Sequence, residues 1–342
     1  MLTHLVATLR QSLGILQKQD IQVVSRQESG LSHLLAAALS SASSSSTAAV
    51  TQIGDDCAAI PDGETYLLLA AEGILPMLVE TEPWFAGWCA VMVNVSDIYA
   101  MGGRPIAIVD TLWSQSFSHS QALLAGMQAA SQTYQVPIVG GHTNCHSPYN
   151  ALSVAILGRA QRLISGFGAR VGDALLMAID LRGKAHPQHP FWNAATEADP
   201  AELRQDLAIL PDLAEAGLCD AGKDISMGGV VGTLLMLLET SGCGAVLDLD
   251  AIPCPDMPLE RWLTCFPSYG FLLSVRPQQV AAVQAKFQQR ELTCAIVGQI
   301  QSGQQLHLRM QGETQLFWDL QQESLTGFAS ALRSETPPEG QP

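Results

Sequence analysis

The apolar residues of this chain change period repeatedly, and that switching constrains its fold more than any other feature. Residues 84–103 carry apolar side chains at helical spacing and end in Gly102-Gly103, a pair suited to a left-handed helix cap. A strand-like run follows at 106–113, then a helical pattern at 120–134, then strand-like runs at 136–141 and 151–160. Such alternation predicts an α/β unit that closes near residue 160. Ahead of it, the β-rich runs 47–54 and 65–71 flank residues 55–64, where Pro61-Asp62-Gly63 supplies turn chemistry, so a hairpin is expected.

Glycines in the linker 161–173 mark a boundary, and residues 173–181 open a second unit with a new strand. Helices are expected over 201–222, an apolar buried helix over 228–242, and strands at 245–249, 270–275, 295–300 and 306–310. Helices between strands predict an α/β sandwich. With 342 residues, two domains are favoured, over 1–160 and 168–312. Leu5, Leu9, Leu13 and Leu16 predict one helix near the start, and residues 31–39 another. The serine-rich segment 40–49 reads as a flexible loop, and 330–342, rich in Pro and charge, as a disordered tail.

Hydrophobic residues make up 47% of the chain and charged residues 14%, a globular composition. Seventeen Lys and Arg against thirty-two Asp and Glu leave a formal charge of −15, which repels nucleic acid and bare phosphates. A bound polyphosphate would therefore need divalent cations, themselves held by carboxylates. The plain alternative is that the excess acid maintains solubility. Eight scattered cysteines without a C-x-x-C pair point to a reducing cytoplasm, and no uncharged stretch approaches the roughly 20 residues that span a bilayer. Neither a P-loop nor a dinucleotide-binding glycine motif occurs, and G-x-S-x-G and H-E-x-x-H are absent as well.

Acidic residues cluster at the ends of apolar elements, where a side chain is held firmly yet faces a cleft. Asp55-Asp56 form a carboxylate pair in a turn, Asn94 and Asp97 share one face of a helix, and Asp224 sits in Gly-Lys-Asp-Ile. An amide oxygen beside a carboxylate is ligand chemistry for magnesium. The plain reading of each is a turn former or a local helix-end partner. Gly102-Gly103, Gly140-Gly141 and Gly228-Gly229 would let backbone amides approach phosphate oxygens, the last at the N-terminus of an apolar helix. His186 and His189, three apart, have chelating spacing, but their flanking prolines mark them more simply as exposed loop residues.

Taken in order, IGDDCAAI, VNVSDIYAMGGRPIAIVDTL, VGGHTN and KDISMGGVVGTLL resemble the aminoimidazole-ribonucleotide (AIR) synthetase-like, or PurM-like, superfamily over roughly residues 50–310. The resemblance implies an α/β (α+β) chain of two domains. The N-terminal mixed-sheet domain would form a dimer barrel, and the C-terminal domain an α/β sandwich. It further implies a cytoplasmic homodimer using ATP and Mg2+ for phosphoryl transfer to a small-molecule substrate, as a kinase or synthetase. Carried over by position, Asp55, Asp56, Glu72, Asp97 and Asp224 would hold metal, with Asp97 and Asp224 catalytic. Asn94, Gly140, Gly141, His142, Thr143, Gly228 and Gly229 would line the nucleotide site. The chain departs from thiamine-monophosphate kinase, because Glu72 stands where that enzyme has Asp, and 267–272 lack its later carboxylates. Gly-Gly-His-Thr is similar to selenophosphate synthetase, whose N-terminal cysteine has no counterpart here and whose lysine has only Lys18. The acceptor is expected to contact 184–200 and the serine segment. A nucleotide sensor or scaffold without turnover, a thiamine-monophosphate kinase-like activity, and metal storage are the competing expectations.

Overall fold

The structure, a computed structural model, describes residues 1–25 and 53–328. The helix expected at 31–39, the serine-rich segment and the tail from 330 lie outside the described residues. The principal helices are α1 (Leu2–Arg10), α2 (Leu13–Gln19), α3 (Pro83–Ala100), α4 (Phe117–Tyr134), α5 (Pro200–Leu207), α6 (Ile209–Glu215) and α7 (Gly229–Ser241).

Strands β1 (Ala58–Asp62), β2 (Thr65–Gly73), β3 (Arg104–Trp113), β4 (Ile138–Asn144) and β5 (Ala151–Ala160) form one sheet in the order β1-β2-β5-β3-β4. Only β3 and β4 run parallel, joined through α4, so the sheet is mixed. A hairpin forms between β1 and β2, turning at Gly63, whereas the first strand expected for it, 47–54, lies outside the described residues except for its last two positions. Asp55 and Asp56 consequently lie in a bend before β1 and not in the hairpin turn. Helix α3 ends as its glycines predict: Gly102 adopts φ 72°, and the Gly103 N–H bonds back to the Ile98 carbonyl at 2.9 Å.

Alternation along β5 divides this sheet. Leu152, Val154 and Ile156 face α3 and α4 and are buried, whereas Leu157 on the opposite face is open. Leu69, Val109 and Val139 share that open condition, and Leu69 pairs directly with Leu157. Among the described residues, no layer covers this apolar sheet face.

The second unit contains β6 (Ala174–Ile179), β7 (Lys184–Ala185), β8 (Phe191–Asn193), β9 (Ala221–Asp224), β10 (Gly244–Asp248), β11 (Phe266–Pro267), β12 (Gly270–Val275), β13 (Thr293–Gln301), β14 (Gln305–Met310) and β15 (Glu313–Asp319). Seven of these make a sheet in the order β15-β14-β10-β13-β6-β12-β9, while β11, β8 and β7 form a small separate one. The residues of β6 alternate between two cores. Leu176 and Ala178 pack with α5, α6 and the first unit, while Leu175, Met177 and Ile179 pack with α7. Both faces are covered by helices, the expected sandwich.

Two boundaries differ from the sequence reading. Leu2, Leu5, Val6, Leu9 and Ile15 of α1 and α2 join the second core, not the unit spanning 1–160. Amphipathic spacing showed that these helices bury one face, but not against which sheet. The second unit also runs past 312, because Gln311 and Gly312, both at positive φ, turn the chain into β15. Farther on, the carboxylate of Glu239 on α7, 2% exposed, accepts bonds from the Leu325 N–H at 2.8 Å, the Thr326 N–H at 2.7 Å and its hydroxyl at 2.5 Å, and the Gly327 N–H at 3.3 Å.

Candidate metal and nucleotide site

Five carboxylates from four distant segments meet where α3 crosses β9. The bend before β1 supplies Asp55 and Asp56, the end of β2 supplies Glu72, α3 supplies Asp97, and the last residue of β9 is Asp224. Their meeting is registered electrostatically: after burial itself, Asp224, Glu72 and Asp56 are what push the Asp97 carboxyl well above the ordinary carboxylate range. Burial and then Asp56 push Asp224 up to about 7, against the pull of Lys223 and Lys18. Glu72, which sits in the concavity but stays wetted, is raised by burial and lowered by Lys18.

Each acid is held by its own element. One oxygen of Asp55 accepts the Ser165 hydroxyl at 2.6 Å and the Gly166 N–H at 2.8 Å, which fixes the bend to the interdomain linker. Asn94, fully buried, donates its amide to the Ala90 carbonyl one turn back at 2.8 Å, a bond that turns its oxygen outward from the helix. Asp97 follows one turn later on the same face, as the spacing predicted.

Two lysines balance part of this charge. Lys223, next to Asp224 on β9, bonds Asp56 and lies 3.6 Å from Asp55. Burial works against its ammonium, yet Asp56 and Asp55 outweigh it and hold the group above its usual range. Lys18 on α2 acts on Glu72 and Asp224. Sequence reading passed over Lys223 although it stands inside a motif already singled out. The signal was a lone cation between two clusters of acid in a chain with few cations.

The donor set fits magnesium. Asp56 Oδ2, Asn94 Oδ1 and Asp97 Oδ2 are buried and have no hydrogen-bond partner among the described residues. An unmet buried acceptor costs about 1–3 kcal/mol, and more when charged, so three together describe a cradle for a hard cation with oxygen ligands.

The glycine motifs are placed differently. Gly140, Gly141, His142 and Thr143 form an exposed stretch of the edge strand β4, and no hydrogen bond or ion pair among the described residues links them to the carboxylates. Through the register Glu72–Val154–Asp110–Gly141 they stand three strands from Glu72, a separation of about 14 Å at the usual strand spacing. A Cβ on Gly141 would fall 2.5 Å from the Asp110 carbonyl oxygen, so packing alone demands this glycine. Gly228 and Gly229 are buried, and a Cβ on Gly229 would stand 2.1 Å from the Leu263 carbonyl oxygen. Gly14 of α2 packs on the preceding residue, Met227. The amides expected to receive phosphate at this helix start are therefore covered by the chain itself.

A cavity of about 100 Å³ opens beside Glu72, between α3 and β8, lined by Phe85, Trp88, Cys89, Met92, Phe191 and Phe266. The Trp88 indole N–H within it is buried and has no partner among the described residues. His186 and His189 are not the exposed loop residues expected: their side chains are 9% and 10% exposed, against Glu82.

Comparison with known proteins matches both units to one family. Residues 54–160 match the family model for the N-terminal domain of AIR synthase related proteins, and residues 170–311 the model for the C-terminal domain. Uncharacterized protein sll0787 of Synechocystis is 58% identical over 330 residues, covering 96% of this chain and 99% of that protein. The selenide, water dikinase of Colwellia psychrerythraea is 26% identical over 292 residues, covering 72% of this chain and 83% of its own. Among solved structures, T. maritima PurL complexed with ATP superposes with a TM-score of 0.64 at 19% identity over 73% of this chain, which spans 43% of that longer one. AaThiL complexed with AMPPCP and TMP superposes with a TM-score of 0.60 at 21% identity, covering 76% and 88% of the two chains. At those identities the superpositions establish the fold.

Proposed function

The chain belongs to the AIR synthase related family, and from that premise we propose that it binds ATP with Mg2+ and transfers a phosphoryl group to a small acceptor. The observation that carries this reading is the convergence of Asp55, Asp56, Glu72, Asp97 and Asp224, together with buried oxygens of Asp56, Asn94 and Asp97 that have no partner among the described residues. Magnesium held there would supply charge neutralisation for the triphosphate. Asp97 and Asn94 present paired oxygens on a helix too buried to shift, and Asp224 brings the second domain to the same point. Lys223 holds the Asp55-Asp56 bend in place. Neighbours crystallised with ATP or its analogue support the nucleotide.

The acceptor occupies the apolar cavity beside Glu72, with Phe191 from the 184–200 segment as part of its wall. Its lining is mainly apolar, which would disfavour water beside the transferring phosphoryl group. At roughly 10–15 Å³ per water, about 100 Å³ accommodates on the order of seven water-sized groups, a small molecule or one end of a larger one. Trp88 offers a single indole N–H to orient it.

ATP titrated calorimetrically should bind with Mg2+ present and lose that binding when EDTA is added. ADP should then appear when the correct acceptor is supplied. Absence of any Mg2+-dependent ATP binding would sink the reading. A sensor without turnover is the second reading, motivated by Lys223 already pairing with two of the five acids and offsetting one of their charges. It predicts binding with no ADP across a broad acceptor panel.

We also infer a homodimer through the open face of the first sheet, where Leu69, Val109, Val139 and Leu157 are 36% to 64% exposed. No helix among the described residues is long and apolar enough to cross a membrane. Val109→Glu should convert dimer to monomer in light scattering, and a wild-type mass of one chain would exclude the dimer.

A further inference from the structure

Away from the acidic cleft, Glu82, His186 and His189 bring one carboxylate oxygen and two imidazole nitrogens within 4.8 Å of one another. Glu82 stands at the start of α3 in the first unit, and the histidines occupy the loop between β7 and β8 in the second. Glu82 Oε2 lies 3.1 Å from His186 Nε2, and Oε1 lies 3.5 Å from His189 Nε2. That second distance is too long for a good hydrogen bond, and both of its atoms are buried without a partner among the described residues.

The surroundings hold these groups rigidly. Phe85 stacks on the His186 ring at 5.2 Å, and Phe191 packs against both imidazoles at 6.0 and 5.4 Å. Loop hydrogen bonds from His186 N–H to the Phe191 carbonyl and from Phe191 N–H to the His189 carbonyl, each 2.8 Å, fix the spacing of the two rings. Glu82 and the two histidines have side-chain exposures of 31%, 9% and 10%, so the cluster is shielded on most sides and open on one.

We propose that Glu82, His186 and His189 form a binding site for a divalent transition metal of the zinc class, clamping the 184–191 loop to the start of α3 in the facing unit. Two imidazoles and one carboxylate suit zinc or its neighbours, whereas magnesium prefers an all-oxygen shell such as the one around Asp97. Three protein ligands leave one position for solvent at the open side. The site stands independently of the phosphoryl-transfer reading, though it shares Phe85 and Phe191 with the cavity wall and would fix that wall's shape.

Proton positions define what binding requires. Nδ1 of His186 accepts the Gln188 and His189 N–H groups at 3.3 and 3.2 Å, so the neutral metal-free ring carries its proton on Nε2, toward Glu82. Coordination through Nε2 moves that proton to Nδ1 and gives up those two long backbone bonds. The carboxylate contributes no proton, so the exchange is balanced without any other reactant.

The test uses full-length protein stripped with a chelator and titrated with Co2+ and then Zn2+. One equivalent of Co2+ should produce visible absorption bands that Zn2+ abolishes, and Mg2+ in excess should leave them unchanged. His186→Ala with His189→Ala should weaken Zn2+ at least hundredfold, while Asp97→Asn keeps the full equivalent. Glu82→Gln, which preserves both rings, should weaken it as well and covers the case in which the double variant does not fold. X-ray absorption of the zinc-loaded wild type should show two imidazole ligands. No bound zinc, zinc without imidazole scattering, or a stoichiometry lost in Asp97→Asn but kept in Glu82→Gln would each overturn the site.

Discussion

Asp97→Asn should lower ATP turnover by at least a thousandfold and at the same time make the metal-free protein more resistant to heat. The two effects have one cause. Asp97 is buried among Asp224, Glu72 and Asp56, an arrangement that favours a cation and penalises the empty protein. Removing its charge removes both the ligand and the repulsion. The same reasoning fixes the pH dependence: the folded state holds protons on Asp97 and Asp224 that an unfolded chain would release near 3.8. Stability of the metal-free protein should therefore be greatest below that ordinary carboxylate value as far as these groups are concerned, and fall as pH rises through about 7. For Asp224, a shift from 3.8 to about 7 corresponds to at most about 4 kcal/mol. Mg2+ should restore that loss, with a larger increment at pH 8 than at pH 6, and Asp97→Asn should flatten the profile. Melting curves at several pH values, with Mg2+ and with EDTA, check this. Wild-type turnover in the variant, or a metal-free melting temperature that climbs from pH 6 to pH 8 with these acids intact, would remove Asp97 from the role given to it.

Glu239→Ala should be the most destabilising single change, at about 3–5 kcal/mol in urea unfolding. The carboxylate is 2% exposed and accepts four hydrogen bonds from residues 325–327, none of which has water to turn to. The turn it holds leads to Phe328, whose ring lies so close to Gly54 that a Cβ there would stand 2.7 Å away. Gly54 precedes Asp55, so the loss should also weaken Mg2+ binding. Glu239→Gln, isosteric and able to accept on one oxygen only, should cost less than the alanine variant. A loss under about 1 kcal/mol for alanine would show that the turn is held by other contacts.

The sequence disclosed the elements and the acids, but only some of the partnerships. Strands and helices from 84 to 160 were legible because each buries one regular face, and Asn94 with Asp97 because helical spacing alone puts them together. Asp224 was legible from its place at the end of an apolar element, although residues up to 222 were read as helix and Ala221–Asp224 form strand β9. Lys223 was not, because a lysine beside an aspartate ordinarily signifies solvent, and only the packing of β9 against the bend before β1 makes it a buried counterion. Glu82 went unnoticed because its partners lie more than a hundred positions later, and distance along a chain carries no record of contact in space. Gly141 and Gly229 were read as openings for phosphate, yet each is excluded from carrying a side chain by a neighbouring carbonyl. A glycine states that something is near without stating what.

Strand β6 has a consequence for how the molecule can be divided. Its alternate residues serve as wall for two different interiors, Leu176 and Ala178 on one side and Leu175, Met177 and Ile179 on the other. Severing the polypeptide in the linker around 161–173 would leave the downstream fragment with a greasy flank and the upstream fragment without its lid. Neither piece is a self-sufficient module, and the two halves can be inherited, expressed or exchanged only as a pair.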